Sequence, residues 1–169
     1  MMIVRAETSA DIPHIAQVNR DAFGQPDEAN LVNALRDNGN ALISLVAVVE
    51  NCLVGHIMVS PVSIVDSNTT WSAVAIAPVA VTPAFQQRGI GSQLVRAALA
   101  QCQANGHPVV FLLGHPSYYP RFGFIPAQPL GIRPTFNVSI EAFMVIELQP
   151  NALQGRRGVL HYAAEFNVL

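Results

Sequence analysis

The sequence predicts a single α/β domain, in which a mixed β-sheet is flanked by helices. Segments rich in β-branched and apolar residues alternate with stretches whose apolar residues recur at helical spacing. A turn containing two glycines joins one predicted strand directly to an amphipathic helix. A length of 169 residues suits one domain with a substantial core, so we expect residues 1–169 to form it.

The composition narrows the classes of function. Hydrophobic residues make up 51% of the chain and charged residues only 12%, against a usual charged share of about 25%. This argues against disorder and predicts an apolar surface that a second copy of the chain covers in a homodimer. A net charge of −2 without a basic cluster makes nucleic acid an unexpected partner.

The chain shows no targeting segment and no predicted membrane span. The N-terminus runs from Met-Met-Ile-Val straight to charged residues, and prolines interrupt the long uncharged stretch over residues 67–87. Cys52 and Cys102 lie far apart and form no metal or redox motif, so we expect both to be small buried side chains. We expect a cytoplasmic protein.

The first half of the chain predicts two helices and four strands. The first helix follows Thr8-Ser9 and breaks at Gly24, and the second begins with Asp27 as its N-cap and ends at Asn38-Gly39. The predicted strands cover residues 2–6, 42–49, 53–60 and 71–81. Pro78 within the last strand cannot donate to a ladder and marks an edge, a bulge or a splayed position.

The segment that follows this strand is the strongest functional signal. It consists of Gln86, Gln87, Arg88, Gly89, Ile90, Gly91 and Ser92. Glycines let the backbone turn tightly and approach a ligand, and the first N–H groups of a helix lack intrahelical partners. Together with the helix dipole and the fixed charge of Arg88, these features predict a phosphate or pyrophosphate site.

Two widespread phosphate-binding motifs do not fit this loop. A Walker-type P-loop requires a lysine, and all nine basic residues of the chain are arginines. A dinucleotide fingerprint requires a third glycine, where the chain has Leu94, and an acid about 20 residues later. No acidic residue occurs between Asp66 and Glu141. An ordinary glycine turn remains the alternative.

The second half predicts a helix, further strands and a tyrosine-rich turn. The helix from Ile90 ends at Asn105-Gly106, and strands are expected at residues 109–113, 142–148 and 158–163. A short helical turn surrounds Tyr118-Tyr119, and a Pro/Gly-rich connection covers residues 126–134.

Two motifs together resemble the GNAT superfamily of N-acetyltransferases. Residues 86–91 fit Gln-x-x-Gly-x-Gly, and residues 119–124 fit Tyr-x-x-x-Gly-Phe, one helix and one strand later. The sequence around the two tyrosines is especially similar to that of a branch of small bacterial predicted acetyltransferases. The resemblance implies a GNAT fold with a splayed sheet, acetyl-CoA as co-substrate, and a small-molecule amine or protein amine as acceptor.

The resemblance also implies roles for individual residues. Tyr119 is the expected general acid for the departing thiolate, although a hydrogen-bonded core tyrosine is the alternative. Val79 and Ala80 contact the pantetheine through their backbone, and the Val81 N–H stabilises the oxyanion. The pyrophosphate is bound by the loop, residues 86–92. An asparagine that several family members place before the tyrosine has no counterpart here.

The general base is left open by the sequence. Glu28 on the second helix is a candidate, but a glutamate in a first turn is equally explained by the helix dipole. His115 is a second candidate that is also explained as a turn residue, and His56 in an apolar strand is expected to be a core histidine. Water and backbone carbonyls are a further option.

Two functions compete with acetyl transfer. A CoA-binding sensor without useful catalysis is the alternative that the undefined base leaves open. A nucleotide-binding, dehydrogenase-like domain is disfavoured by the bulky Leu94.

Overall fold

Residues 1–168 are described by a computed structural model of the chain. They form two compact units. Unit 1 consists of Met1–Ser60, Ala77–Gln101 and the C-terminal residues from Ala164, and unit 2 of Pro61–Ile76 and Cys102–Ala163. Within the described residues, no helix is long and apolar enough to cross a membrane.

Unit 1 combines antiparallel strands with three helices. The elements that contribute to it are β1 (Met2–Ala6), α1 (Ile12–Phe23), α2 (Asp27–Asp37), β2 (Ile43–Val49), the first part of β3 (Cys52–Val65), the end of β4 (Thr70–Val81) and most of α3 (Ile90–Ala104). β1 pairs with β2 and β2 with β3, both antiparallel. Glu50 and Asn51 both adopt positive φ, +47° and +64°, which suits the tight turn that joins β2 to β3.

The predicted ends of the two N-terminal helices are confirmed, but one predicted cap is wrong. α1 ends at Gly24, with φ +70°, and α2 is followed by Asn38 and Gly39. The N-cap of α2 is Pro26 and not Asp27, because the Pro26 carbonyl already accepts a hydrogen bond from the Asn30 N–H at 2.9 Å. Asp27 is therefore the first helical residue, where the positive end of the helix dipole stabilises its negative charge.

Unit 2 holds a mixed set of strands around an apolar cluster. It contains the end of β3, the start of β4, and β5 (Val109–Leu113), β6 (Ile125–Pro126), β7 (Ile132–Pro134), β8 (Phe143–Glu147) and β9 (Gly158–Tyr162). β4–β5 and β7–β9 are parallel, whereas β5–β8, β6–β8 and β3–β9 are antiparallel. In the cluster, Phe111 and Phe143 stack with ring centroids 5.8 Å apart. Burying each ring contributes roughly 1.5–3 kcal/mol.

The ladder between β4 and β5 is short. Only Val74 with Val110 and Ala75 with Phe111 are paired, whereas β5 pairs with β8 over its whole length to Leu113. A ladder that ends this early is what the predicted splaying of the sheet requires. Pro78 follows three residues later, and its peptide bond with Ala77 is cis.

Three expectations about local structure are corrected. The connection over residues 126–134 contains β7 and part of β6, strands of only two or three residues that carry no recognisable period. β3 extends beyond Ser60 to Val65, because its last residues pair with β9, a distant segment of the chain. Cys52 is exposed, because it directly follows the hairpin turn, whereas Cys102 is buried as predicted.

Candidate functional site

In unit 1, one hydrogen bond ties the glycine loop to the end of β4, and another ties the chain between them to β3. The Thr82 N–H donates to the Val54 carbonyl at 2.8 Å, which attaches the chain leaving β4 to β3. The Gln86 amide Nε2 donates to the Val81 carbonyl at 3.0 Å, so the first motif residue closes the loop onto the strand. Val81 and the loop are therefore brought together.

The backbone of the loop turns at two left-handed residues. Gln87 has φ +63° and Gly89 φ +80°, and residues 86–89 are exposed. α3 begins at Ile90, and its first hydrogen bond runs from the Gln93 N–H to the Gly89 carbonyl at 3.1 Å. The N–H groups that precede Gln93 belong to the electropositive start of the helix. This conformation can bind a phosphate oxygen.

Arg88 supplies an exposed positive charge in the same loop. Its guanidinium carbon lies 5.0 Å from the centroid of the Phe85 ring, a cation–π contact that limits where the side chain points. Arg88 forms no ion pair with any residue in the range 1–168. The charge is thus available for an anion. Ser92 lies half-buried in the first turn of α3.

The start of α3 is fixed by packing that the sequence analysis missed. A Cβ on Gly55 of β3 would lie 3.0 Å from Leu94 Cδ1 and 3.2 Å from Ile90 Cγ2. The close helix–strand approach that a third loop glycine gives in dinucleotide folds is provided here by a glycine on the strand. The bulky Leu94 is therefore accommodated because Gly55 has no side chain, and a glycine within an apolar predicted strand was the available sequence signal.

Tyr119 lies at the start of a one-turn helix in unit 2, residues Tyr119–Phe122. The N–H groups of Tyr118 and Tyr119 both donate to the His115 carbonyl, at 3.1 and 3.4 Å. The Tyr119 ring packs against Phe122 and Phe124, with both centroids 6.1 Å away. Gly123, with φ +103°, ends the turn, which explains why the motif requires glycine there.

Gly114 is a second residue that the sequence analysis missed. It follows β5, and a Cβ at this position would overlap Cε2 and Cδ2 of the Tyr119 ring. The ring therefore lies directly over the backbone, a place that only glycine leaves open. A glycine immediately after an apolar strand and shortly before the tyrosine motif was the available signal.

The environment of Tyr119 keeps its hydroxyl protonated. Burial, with a smaller contribution from Tyr118, raises the pKa of Tyr119 to about 12. A phenol with this pKa is a hydrogen-bond donor over the whole physiological range.

Tyr118 is held differently from its neighbour. The Arg121 Nε donates to the Tyr118 carbonyl at 2.8 Å, and the Arg121 guanidinium carbon lies 4.3 Å from the centroid of the Tyr118 ring. These contacts hold Tyr118 through both its carbonyl and its ring.

The two candidate bases are placed in different surroundings. Glu28 is half-buried in the first turn of α2 in unit 1, and its Oε1 accepts a hydrogen bond from the Gln25 Nε2 at 3.1 Å. His115 is exposed in unit 2, and its backbone carbonyl caps the tyrosine turn. Neither contact selects one residue as the base. Over residues 1–168, no group of three or more His, Cys, Asp or Glu side chains can hold a metal.

His56 is confirmed as a core histidine. It is fully buried, with Nδ1 3.3 Å from the Asn19 Nδ2 and Nε2 2.9 Å from the Ser44 Oγ. Ser44 also donates to Glu7, which forms a two-point ion pair with Arg36. The Ser44 hydroxyl donates its hydrogen bond to Glu7, so it acts as acceptor toward His56. The His56 Nε2 therefore carries the hydrogen and donates to the Ser44 Oγ. Burial lowers the pKa of His56 to about 4.

Comparisons with known proteins place these features in a family. Residues 3–127 match the family model described as the acetyltransferase (GNAT) domain. The chain is 34% identical over 167 residues to a protein named uncharacterized N-acetyltransferase YhbS from Escherichia coli K12, covering 98% of this chain and 99% of that protein.

Two solved structures are similar over nearly the whole chain. The GNAT family N-acetyltransferase YhbS from Escherichia coli, in complex with CoA, superposes with a TM-score of 0.92 at 32% identity, covering 98% of this chain and 92% of that chain. A GNAT family acetyltransferase from Brucella melitensis, in complex with acetyl-CoA, gives a TM-score of 0.82 at 32% identity, covering 98% of both chains.

Proposed function

Because the chain belongs to the GNAT family of N-acetyltransferases, we propose that it transfers the acetyl group of acetyl-CoA directly to a primary amine. The observation that carries this proposal is the loop between β4 and α3. Its two left-handed residues, its tie to Val81 and the helix start combine the features that bind a pyrophosphate. Two similar structures, at 32% identity, contain CoA or acetyl-CoA.

In the proposed reaction, the backbone of unit 1 holds the thioester and the loop holds the pyrophosphate. Residues 86–92 bind the pyrophosphate, with Arg88 adding a charge to the backbone N–H groups. Val79 and Ala80 bind the pantetheine through their backbone, and the Val81 N–H donates to the oxyanion that forms when the amine attacks. The exchange breaks the thioester C–S bond and forms an amide C–N bond.

The proton balance requires one acid and one proton acceptor. The attacking amine must lose a proton, and the departing sulfur leaves more readily as it gains a hydrogen bond or a proton. Tyr119 is the proposed donor to sulfur, because its hydroxyl remains protonated. Glu28, His115 and a water molecule are alternative acceptors for the amine proton.

The acceptor is a small-molecule amine or a protein amine. In this proposal α1 and α2 cover the acceptor, and they carry three acidic residues within a short stretch, namely Asp21, Asp27 and Glu28. Such a surface favours a cationic acceptor over an anionic one. A homodimer and a cytoplasmic location stay predictions made from composition.

A thiol-release assay tests the proposal. Acetyl-CoA is supplied with a panel of polyamines, amino acids and peptides, and free CoA is measured over time. We expect amine-dependent release, and Arg88→Gln should raise the KM for acetyl-CoA about tenfold with little change in kcat. Arg133→Gln, on an exposed position of β7, is the matched control. Thiol release that no amine accelerates would contradict the transferase proposal.

A further inference from the structure

A cavity of about 580 Å³ opens on unit 2. Its lining includes Asp66, Trp71, Leu130, Leu153, Arg156 and Arg157, none of which is among the residues proposed for acetyl transfer. The volume lies within the range of about 300–1,000 Å³ that small-molecule sites occupy. The cavity therefore has the size of a ligand site and no assigned ligand.

Two consecutive arginines give this cavity its charge. Arg156 and Arg157 make no side-chain hydrogen bond or ion pair with the described part of the chain, residues 1–168. Their backbone is nevertheless fixed, because the Arg156 N–H donates to the Leu153 carbonyl at 3.0 Å and the Gly158 N–H to the Gly131 carbonyl at 2.9 Å. Two guanidinium groups on an anchored segment are prepared to bind an anion.

Three apolar side chains, Trp71, Leu130 and Leu153, line the cavity beside the polar Asp66 and Thr69. Trp71 and Leu153 are partly buried and pack against the core cluster of unit 2, which keeps their positions fixed. Leu130, which is 43% exposed, adds a further apolar side chain. An indole face with two leucines suits a planar or apolar ligand body.

Asp66 restricts the charge of the ligand. Its Oδ1 accepts a hydrogen bond from the Ser67 N–H at 2.8 Å, so the carboxylate is held in its turn. With Arg156 and Arg157 it leaves the lining with a net charge of +1. That charge suits a ligand with a single anionic group better than one with several.

We propose that this cavity binds a small organic anion, in which one carboxylate or phosphate monoester is attached to a planar or apolar body. Arg156 and Arg157 bind the anionic group, and the body lies against Trp71 and the two leucines. The site does not depend on the proposed acetyl transfer.

The fluorescence of Trp71 reports on this site directly, because it is the only tryptophan of the chain. Phenylacetate and phenyl phosphate are titrated against the full chain, with benzyl alcohol and benzylamine as neutral and cationic analogues. We expect a saturable change with a Kd below about 1 mM for at least one anion, and binding at least tenfold weaker for both analogues. Binding of only one anion supports the proposal and identifies the anionic group.

Variants and acetyl-CoA decide whether the binding is at the proposed place. Arg156→Gln and Arg157→Gln should each weaken the binding of the anion at least tenfold. Arg133 is an exposed arginine outside the lining, so Arg133→Gln should leave the Kd unchanged. The indole N–H resonance of Trp71 in ¹⁵N-labelled protein checks that each variant is folded. Any of three results would overturn the proposal: Kd values that both substitutions leave unchanged, no saturable signal, or loss of binding in saturating acetyl-CoA.

Discussion

Replacing Tyr119 by Phe removes one hydroxyl and leaves the ring. The ring contacts with Phe122 and Phe124 do not involve the oxygen, and the Tyr119 hydroxyl has no hydrogen-bond partner within residues 1–168. The substitution should therefore change the free energy of unfolding by no more than about 0.5 kcal/mol at neutral pH. Any large kinetic effect then reports on the reaction.

The size of the kinetic effect follows from the pKa of Tyr119. That pKa is about 12, whereas an ordinary thiol has a pKa of about 8.5. Moving the proton completely to such a thiolate is uphill by roughly 3.5 units, or about 5 kcal/mol. A hydrogen bond to the developing thiolate, in contrast, contributes about 1.5–3 kcal/mol. Tyr119→Phe should accordingly lower kcat about 10- to 150-fold.

Steady-state kinetics and binding together test this reasoning. With a saturating acceptor, kcat should fall by that factor, while the Kd for acetyl-CoA should stay within about twofold of wild type. A loss far larger than 10³-fold would indicate complete proton transfer, and an equal loss of binding and turnover would refute the donor role. Unchanged turnover would refute it as well.

Three further predictions concern different parts of the chain. Gly114→Ala should displace the Tyr119 ring and lower kcat at least tenfold without weakening acetyl-CoA in calorimetry, and unchanged kcat would show that the ring does not need this space. His56 titrates near pH 4 in the folded chain and near 6.5 when unfolded, so stability should fall by about 3 kcal/mol as the pH drops between these values. Urea titrations of His56→Gln should lack most of this fall, whereas exposed His161→Gln should keep it. Light scattering at micromolar concentration should give the mass of a dimer, and a mass of 18.2 kDa would exclude it.

Much of the fold could be predicted because glycines and prolines mark where elements end. Gly24 and Gly106 both follow helices and adopt positive φ, as their positions after periodic apolar stretches indicated. The turn of the glycine loop was equally accessible, since Gln86 closes it onto the nearby Val81, whereas its role as a pyrophosphate site stays a prediction. Local chemistry therefore predicts the helix boundaries and the loop.

The remaining features depend on partners that are distant in sequence. β6 and β7 are too short to show a period and exist because β8 and β9 pair with them. The roles of Gly55 and Gly114 become visible only when Leu94 and Tyr119 are placed against them. The choice between Glu28 and His115 as base needs the position of the amine, which neither sequence nor backbone defines.

A calorimetric titration with acetyl-CoA tests the central claim most directly. Wild type and Arg88→Gln are titrated, with NAD and ATP as control ligands. We predict micromolar binding of acetyl-CoA to wild type, binding about tenfold weaker to Arg88→Gln, and no comparable binding of NAD or ATP. No heat of binding with acetyl-CoA, or equal binding of all three ligands, would contradict the assignment of the loop between β4 and α3.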